Sequence, residues 1–168
     1  GSTRGGRVEA PSGLSYPRQA INSAARRCRC EQGWRMQSCL ICDDHAMMRE
    51  AMAGTVAMAW PDATVTLASD FPGAWEAMES APDLCICDLV MPGASPLEGI
   101  STLGARAASP ILVVTGSEDD NLLLALFRLG IAGFVPKTAR SAVIEAAIRV
   151  VLAGERYLPA RFLELIDS

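Results

Sequence analysis

From Ser38 onward the chain alternates between two textures. Short apolar runs occupy residues 39–42, 65–68, 84–87, 111–114 and 133–135. Each is too short for an ordinary helix, and several are rich in Val, Ile or Cys, so they predict strands. Between them the apolar positions follow a helical period. Met48, Ala51, Met52, Thr55, Val56 and Ala59 fall on one helix face, which Trp60-Pro61 ends. Residues 71–80 predict a second helix, stopped by Pro82. Ser95-Pro96-Leu97-Glu98 reads as a helix start, with an N-cap serine, a first-turn proline and a capping glutamate. Ser117-Glu118-Asp119-Asp120 opens a fourth helix over residues 121–129, closed by Gly130. Ile144, Ala147, Ile148 and Val151 line a fifth, closed by Gly154. Five strand–helix units in series predict an α/β protein with an open, doubly wound parallel sheet and helices on both faces.

Residues 1–35 have no such pattern. They carry seven arginines against two acids, a net charge of +5, whereas the remainder carries −9. This segment is expected to be a flexible basic tail, and Met36 fits a true start. The whole chain of 168 residues has a net charge of −4, which argues against a strongly basic nucleic-acid binder. Half of its residues are hydrophobic, enough for a real core, and no apolar run approaches a membrane span. Of the six cysteines, Cys28, Cys30, Cys39, Cys42, Cys85 and Cys87, the last four sit inside apolar runs. They are expected to pack as reduced core thiols in a cytoplasmic protein rather than to hold zinc.

In doubly wound sheets the chemistry gathers at the carboxyl ends of the strands. The first predicted strand ends in Asp43-Asp44-His45, the third in Asp88, the fourth in Thr115-Gly116 and the fifth in Pro136-Lys137-Thr138. The second ends in the plainer Ser69-Asp70. Three carboxylates, a hydroxyl and an ammonium therefore converge on one edge. Two carboxylates about 4 Å apart repel by roughly 4 kcal/mol at an effective dielectric near 20. Three need cations, and Lys137 supplies only one charge. A hard divalent ion with oxygen ligands, most naturally Mg2+, fits the remainder and leaves a position for a phosphoryl oxygen. Lys137 stands out because the chain has fourteen arginines and this single lysine, as if a compact point charge were needed there. His45, the only histidine, is expected to start a helix or support the acids from behind.

These segments resemble the receiver domain of bacterial two-component response regulators. Cys39-Leu40-Ile41-Cys42-Asp43-Asp44-His45 is similar to that family's first strand and acidic pair. Asp88-Leu89-Val90-Met91-Pro92-Gly93 is similar to its phosphoacceptor segment, Val113-Val114-Thr115-Gly116 to its fourth strand, and Gly133-Phe134-Val135-Pro136-Lys137-Thr138 to its fifth. The details most resemble the LuxR-type subfamily. The resemblance covers residues 38–157 and implies a flavodoxin-like (βα)5 fold with five helices and strand order 2-1-3-4-5. It implies that Asp88 takes a phosphoryl group from a histidine kinase. Asp43 and Asp44 would hold Mg2+ with Asp88 and the backbone carbonyl of Val90. Lys137 would pair with the phosphoryl oxygens. Thr115 would swing to bond the loaded group, and Phe134 would fill the space it leaves. The implied protein is a phosphoacceptor switch rather than a turnover enzyme.

The chain departs from the family in places. Thr138 follows Lys137 where many receivers have proline, and Ala94-Ser95-Pro96 stands where many have Met-Asp-Gly. Apolar Val90, two residues past Asp88, predicts slow loss of phosphate. Leu122, Leu123, Leu124, Leu126, Phe127 and Leu129 make the fourth helix apolar almost all round, which fits either a partner contact or deep core packing. The expected divisions are a tail over 1–35, a receiver domain over 36–157 and a linker or short helix over 158–168. Partners implied are a histidine kinase, a second copy as a homodimer, and DNA only through an output domain missing here. No membrane partner is expected, and an excised fragment is favoured over a stand-alone receiver. Two other readings compete: a haloacid dehalogenase-like aspartyl-phosphate hydrolase, which the absence of a second Asp in Asp88-Leu89-Val90 disfavours, and a receiver fold used only for binding.

Overall fold

The computed structural model describes residues 35–166. The expected basic tail, with Cys28 and Cys30, lies outside them apart from Arg35. Five strands, β1 Ser38–Cys42, β2 Thr64–Ala68, β3 Leu84–Asp88, β4 Ile111–Thr115 and β5 Gly133–Pro136, form one sheet of order β2-β1-β3-β4-β5. All neighbouring pairs are parallel. The helices are α1 Ala46–Ala59, α2 Phe71–Met78, α3 Pro96–Arg106, α4 Asp120–Arg128, α5 Ser141–Leu152 and α6 Ala160–Ile166. No helix among the described residues is long and apolar enough to cross a membrane.

Strands β3 and β4 are buried along their full length, as a parallel sheet covered on both faces requires. One face packs Leu40, Phe71, Met78, Leu103 and Leu126. The other packs Ile41, Met52, Val56, Ile86, Ile148 and Val151. Strand β2, at one edge of the sheet, is the exception: its Leu67 is 47% exposed. The predicted face of α1 is narrower than its periodicity suggests. Met52 and Val56 are buried, while Ala51 is exposed.

Local signals explain most element ends. Ser95 caps α3, accepting from the Glu98 amide at 3.4 Å. Helix α4 begins at Asp120, and its cap is Asp119, whose carboxylate accepts from Asn121 N and Leu122 N at 3.1 and 3.2 Å. A carboxylate reaching two amides at once outcompetes the Ser117 hydroxyl there. Gly130 (φ +91°) and Gly154 (φ +86°) follow α4 and α5 in the left-handed region. The four described cysteines are free and buried. Burial, helped by neighbouring Cys42 and Asp83, pushes the Cys39 thiol up to about 12, as expected of a neutral core side chain.

The loop after Asp88 is pinned. Pro92 O accepts from Phe71 N at 2.9 Å, joining it to the start of α2. Gly93 (φ +105°) lies so close to Pro72 that an added Cβ would come within 2.4 Å of its ring. Beyond α5, residue Tyr157 runs beside β5: Phe134 N donates to Tyr157 O at 3.0 Å, and Tyr157 N to Ala132 O at 2.9 Å. Helix α6 then crosses α4 and β5. A helix of this length is marginal alone, so its order depends on docking.

Two glycines on α3 predict opposite outcomes. A Cβ at Gly99 would stand 2.3 Å from the buried Phe71 ring, whereas one at Gly104 would meet nothing within 4 Å. Gly99→Ala is expected to cost about 1–3 kcal/mol in urea unfolding, from overpacking. Gly104→Ala is expected to add up to about 1 kcal/mol, from helix propensity.

Candidate functional site

The register of the sheet builds the site. Cys42 pairs with Cys87, so Asp43 and Asp88 leave adjacent strands at the same level. Asp88 pairs with Val114, which puts Thr115 one step beyond on the next strand. Thr115 in turn pairs with Pro136, and Lys137 N donates to Thr115 O at 3.0 Å, which brings the lysine stem over the edge.

The side chains follow. Lys137 Nζ lies 2.7 Å from Asp88 Oδ2 and 3.6 Å from Asp43 Oδ2. Asp43 is fully buried and Asp88 nearly so, whereas the Asp44 side chain is one-third exposed. Asp43 Oδ1 accepts from His45 N at 2.9 Å, and Asp88 Oδ1 accepts from Val90 N at 3.3 Å. Carboxylate oxygens of Asp43, Asp44 and Asp88 and a ring nitrogen of His45 all lie within 4.8 Å of one another. The remaining oxygen of Asp43, Oδ2, is buried without a hydrogen bond. Among the described residues the positive group paired with it is Lys137, at ion-pair rather than hydrogen-bond distance.

That orphaned oxygen is the test of whether a cation fits. A buried carboxylate oxygen with no donor is costly, and it faces two further carboxylates whose oxygens suit a hard divalent ion. The donor set fits Mg2+ well. Burial works against the charge on Lys137, but the hydrogen bond to Asp88 and the fields of Asp88, Asp43 and Asp44 outweigh it. The ammonium is therefore held above the usual lysine range.

Three further expected residues lie around this cluster. The Thr115 hydroxyl accepts from Ser117 N at 2.9 Å. The Phe134 ring is buried in the core beneath α6. The Val90 side chain is 64% exposed beside the cluster, and its amide touches Asp88. One foreseen contact and one that escaped the sequence reading complete the site. His45 precedes α1, as expected, but its ring nitrogen Nδ1 also approaches Asp44 Oδ1 at 3.2 Å and Asp43 Oδ1 at 3.4 Å. Arg49, one turn into α1, donates to Asp43 O at 2.7 Å and steadies the acidic turn.

Comparison with known proteins agrees with this architecture. The family model for the response regulator receiver domain matches residues 39–149. The chain belongs to that family: it carries a receiver domain of two-component response regulators. Among curated proteins it is 31% identical over 127 residues to the glycerol metabolism activator of Pseudomonas putida, covering 74% of this chain and 58% of the relative. It is 34% identical over 125 residues to the transcriptional regulatory protein LiaR of Bacillus subtilis, covering 73% and 59%. The chain thus spans under two thirds of the length of these relatives. The crystal structure of a LuxR-family two-component response regulator from Aurantimonas sp. superposes with a TM-score of 0.70 at 27% identity, covering 79% of this chain and 96% of that one. The receiver belongs with the LuxR type, and the hydrolase alternative gains no support.

The lysine pair has a pH signature. The folded value of Lys137 lies above its ordinary 10.5. The pair's stabilisation is therefore complete below that ordinary value and is lost as pH climbs through the raised one. Lys137→Met is expected to lower urea stability by about 2 kcal/mol. The difference should stay level across neutral pH and shrink only in strongly alkaline buffer. A penalty that already fades at neutral pH contradicts the assignment.

Proposed function

We propose that Asp88 is the phosphoacceptor of a Mg2+-dependent phosphorelay switch. The observation that carries this reading is the contact of the only lysine with Asp88, beside a buried Asp43 oxygen that lacks a donor. A carboxylate oxygen of Asp88 attacks the phosphorus of a kinase phosphohistidine. The new P–O bond forms as the P–N bond breaks, and the histidine nitrogen leaves with the bonding pair. Asp43, Asp44, Asp88 and the Val90 carbonyl would hold Mg2+. When bound, it offsets their charge and offers an open position to a phosphoryl oxygen.

The protein's own groups then act on the phosphoryl charge. Lys137 stays paired and bonds its oxygens. Thr115, whose hydroxyl accepts from Ser117 N, has its own O–H free to turn and donate to the loaded group. Phe134 turns into the space that Thr115 leaves. Bonds made only in the loaded state bias a two-state surface, which is what a switch requires. The receiver unit spans residues 36–157. In the whole protein it controls an output domain that binds DNA, with a histidine kinase as donor and a second copy as a further partner. The longer relatives, one of them named a transcriptional regulatory protein, support this assignment. A cytoplasmic location follows from the same reading.

Acetyl phosphate with Mg2+ should add one phosphoryl group to the chain by intact mass, and Asp88→Asn or omission of Mg2+ should abolish it. An unmodified chain, or steady release of phosphate from added esters, counts against a receiver. Mg2+ alone should raise the melting temperature, by an amount equivalent to about 2.7 kcal/mol at a hundredfold excess over its dissociation constant. Asp43→Asn should remove that response. Val90→Asn, which puts a polar group where hydrolytic water approaches, is expected to shorten the phosphate lifetime several-fold. An unchanged lifetime removes Val90 from the account of phosphate loss.

A further inference from the structure

The residue at the entrance to α1 is an odd choice for its place. His45 is the N-cap of α1, where Ser, Thr, Asp or Asn would bond a free amide of the first turn. Its side chain makes no cap bond. The ring turns to the acids instead: Nδ1 lies 3.2 Å from Asp44 Oδ1 and 3.4 Å from Asp43 Oδ1. An oxygen of Asp88 completes a group of four donors, all within 4.8 Å of one another. An ion about 2.1 Å from two ligands at right angles separates them by about 3 Å, so the spacing of ring and carboxylates suits one shared ion.

Ammonium and imidazole do not compete for the same atom. Lys137 approaches Oδ2 of Asp43 and Oδ2 of Asp88, at 3.6 and 2.7 Å. His45 approaches Asp43 through Oδ1. Asp43 Oδ2 is buried and makes no hydrogen bond, so the group is short of a partner even with both present. Arg49 is engaged with the backbone oxygen of Asp43. The His45 side chain is 67% exposed, so an ion reaches Nδ1 from solvent without opening the core.

This is not the donor set that Mg2+ selects. Mg2+ takes carboxylates, carbonyls and water, whereas imidazole suits borderline first-row ions such as Zn2+. Zn2+ is satisfied by four ligands, and three carboxylates with one imidazole supply four. We infer that His45 Nδ1 joins Asp43, Asp44 and Asp88 in binding Zn2+, and that zinc held this way competes with Mg2+ and blocks phosphoryl loading of Asp88. The ligation stands on the geometry alone; the block rests on the phosphoacceptor reading above. Its reason is coordination number. Mg2+ keeps waters and can exchange one for a phosphoryl oxygen, whereas a four-ligand zinc centre has no vacant position and engages the carboxylate that must attack.

The test uses the full chain, in which His45 is the only histidine. Its two ring nitrogens are therefore the only imidazole signals in a long-range proton–nitrogen NMR spectrum, and zinc taken up by cysteines leaves them in place. At about pH 8, where an ordinary imidazole is neutral, excess Zn2+ is expected to move Nδ1 far more than Nε2. Mg2+ is expected to move neither comparably. Calorimetry gives a second readout, with Cys28→Ser and Cys30→Ser in both chains compared. His45→Ser, which supplies a preferred cap and so keeps the helix start, should lower affinity for Zn2+ relative to Mg2+ by roughly tenfold or more. By intact mass, Mg2+ with acetyl phosphate should load the chain, and added Zn2+ should prevent it.

A ring that Zn2+ does not move, or an unchanged metal ratio in His45→Ser, overturns the ligation. Loading that proceeds with the ring zinc-bound overturns the block and leaves the phosphoacceptor reading intact. A ring moved by Zn2+ in a chain that takes up no phosphate with Mg2+ alone overturns that reading and the block with it, while the zinc ligation stands.

Discussion

Like charges forced together at the edge of a sheet govern this molecule. The parallel register brings Asp43 and Asp88 out at one level, and both are buried. Neither can move away without dismantling a strand that is packed on both faces. The strain is answered locally by one ammonium, itself held by a backbone bond to the neighbouring strand. What the lysine leaves unanswered is an affinity for further positive charge and, once that charge is present, for a dianion. The fold thus stores an electrostatic imbalance, and binding events at the edge are ways of relieving it.

The same register explains why the edge was legible without coordinates. Strands were visible as apolar runs because β1, β3 and β4 are covered on both faces, and the residue after each run had to lie at the carboxyl edge. Asp43, Asp88, Thr115 and Lys137 were found in this way. Sequence pattern was a poorer guide wherever tertiary contact decides. It could not show that Leu67 of the edge strand β2 lies in solvent, nor that Asp119 rather than Ser117 caps α4. It could not aim the His45 ring at two carboxylates, because a rotamer leaves no trace in composition. The apolar character of α4 left two explanations open. The structure buries Leu123 and Leu126 in the core and covers Phe127 with Arg156 and Phe162, while Leu129 remains 48% exposed.

Residue choice beyond the edge fits the same economy. Gly99 and Gly93 sit where a further carbon would meet the rings of Phe71 and Pro72. The loop after Asp88 is held to the start of α2 by the bond from Phe71 N to Pro92 O.

The solitary lysine has one more consequence. Cells acylate lysine amines, and on most proteins such marks fall on scattered solvent-facing side chains where they alter little. Apart from His45, every other basic side chain here is an arginine, which those reagents leave alone. An acyl group on this polypeptide's lysine has a single address, and it would erase the ammonium that faces Asp88.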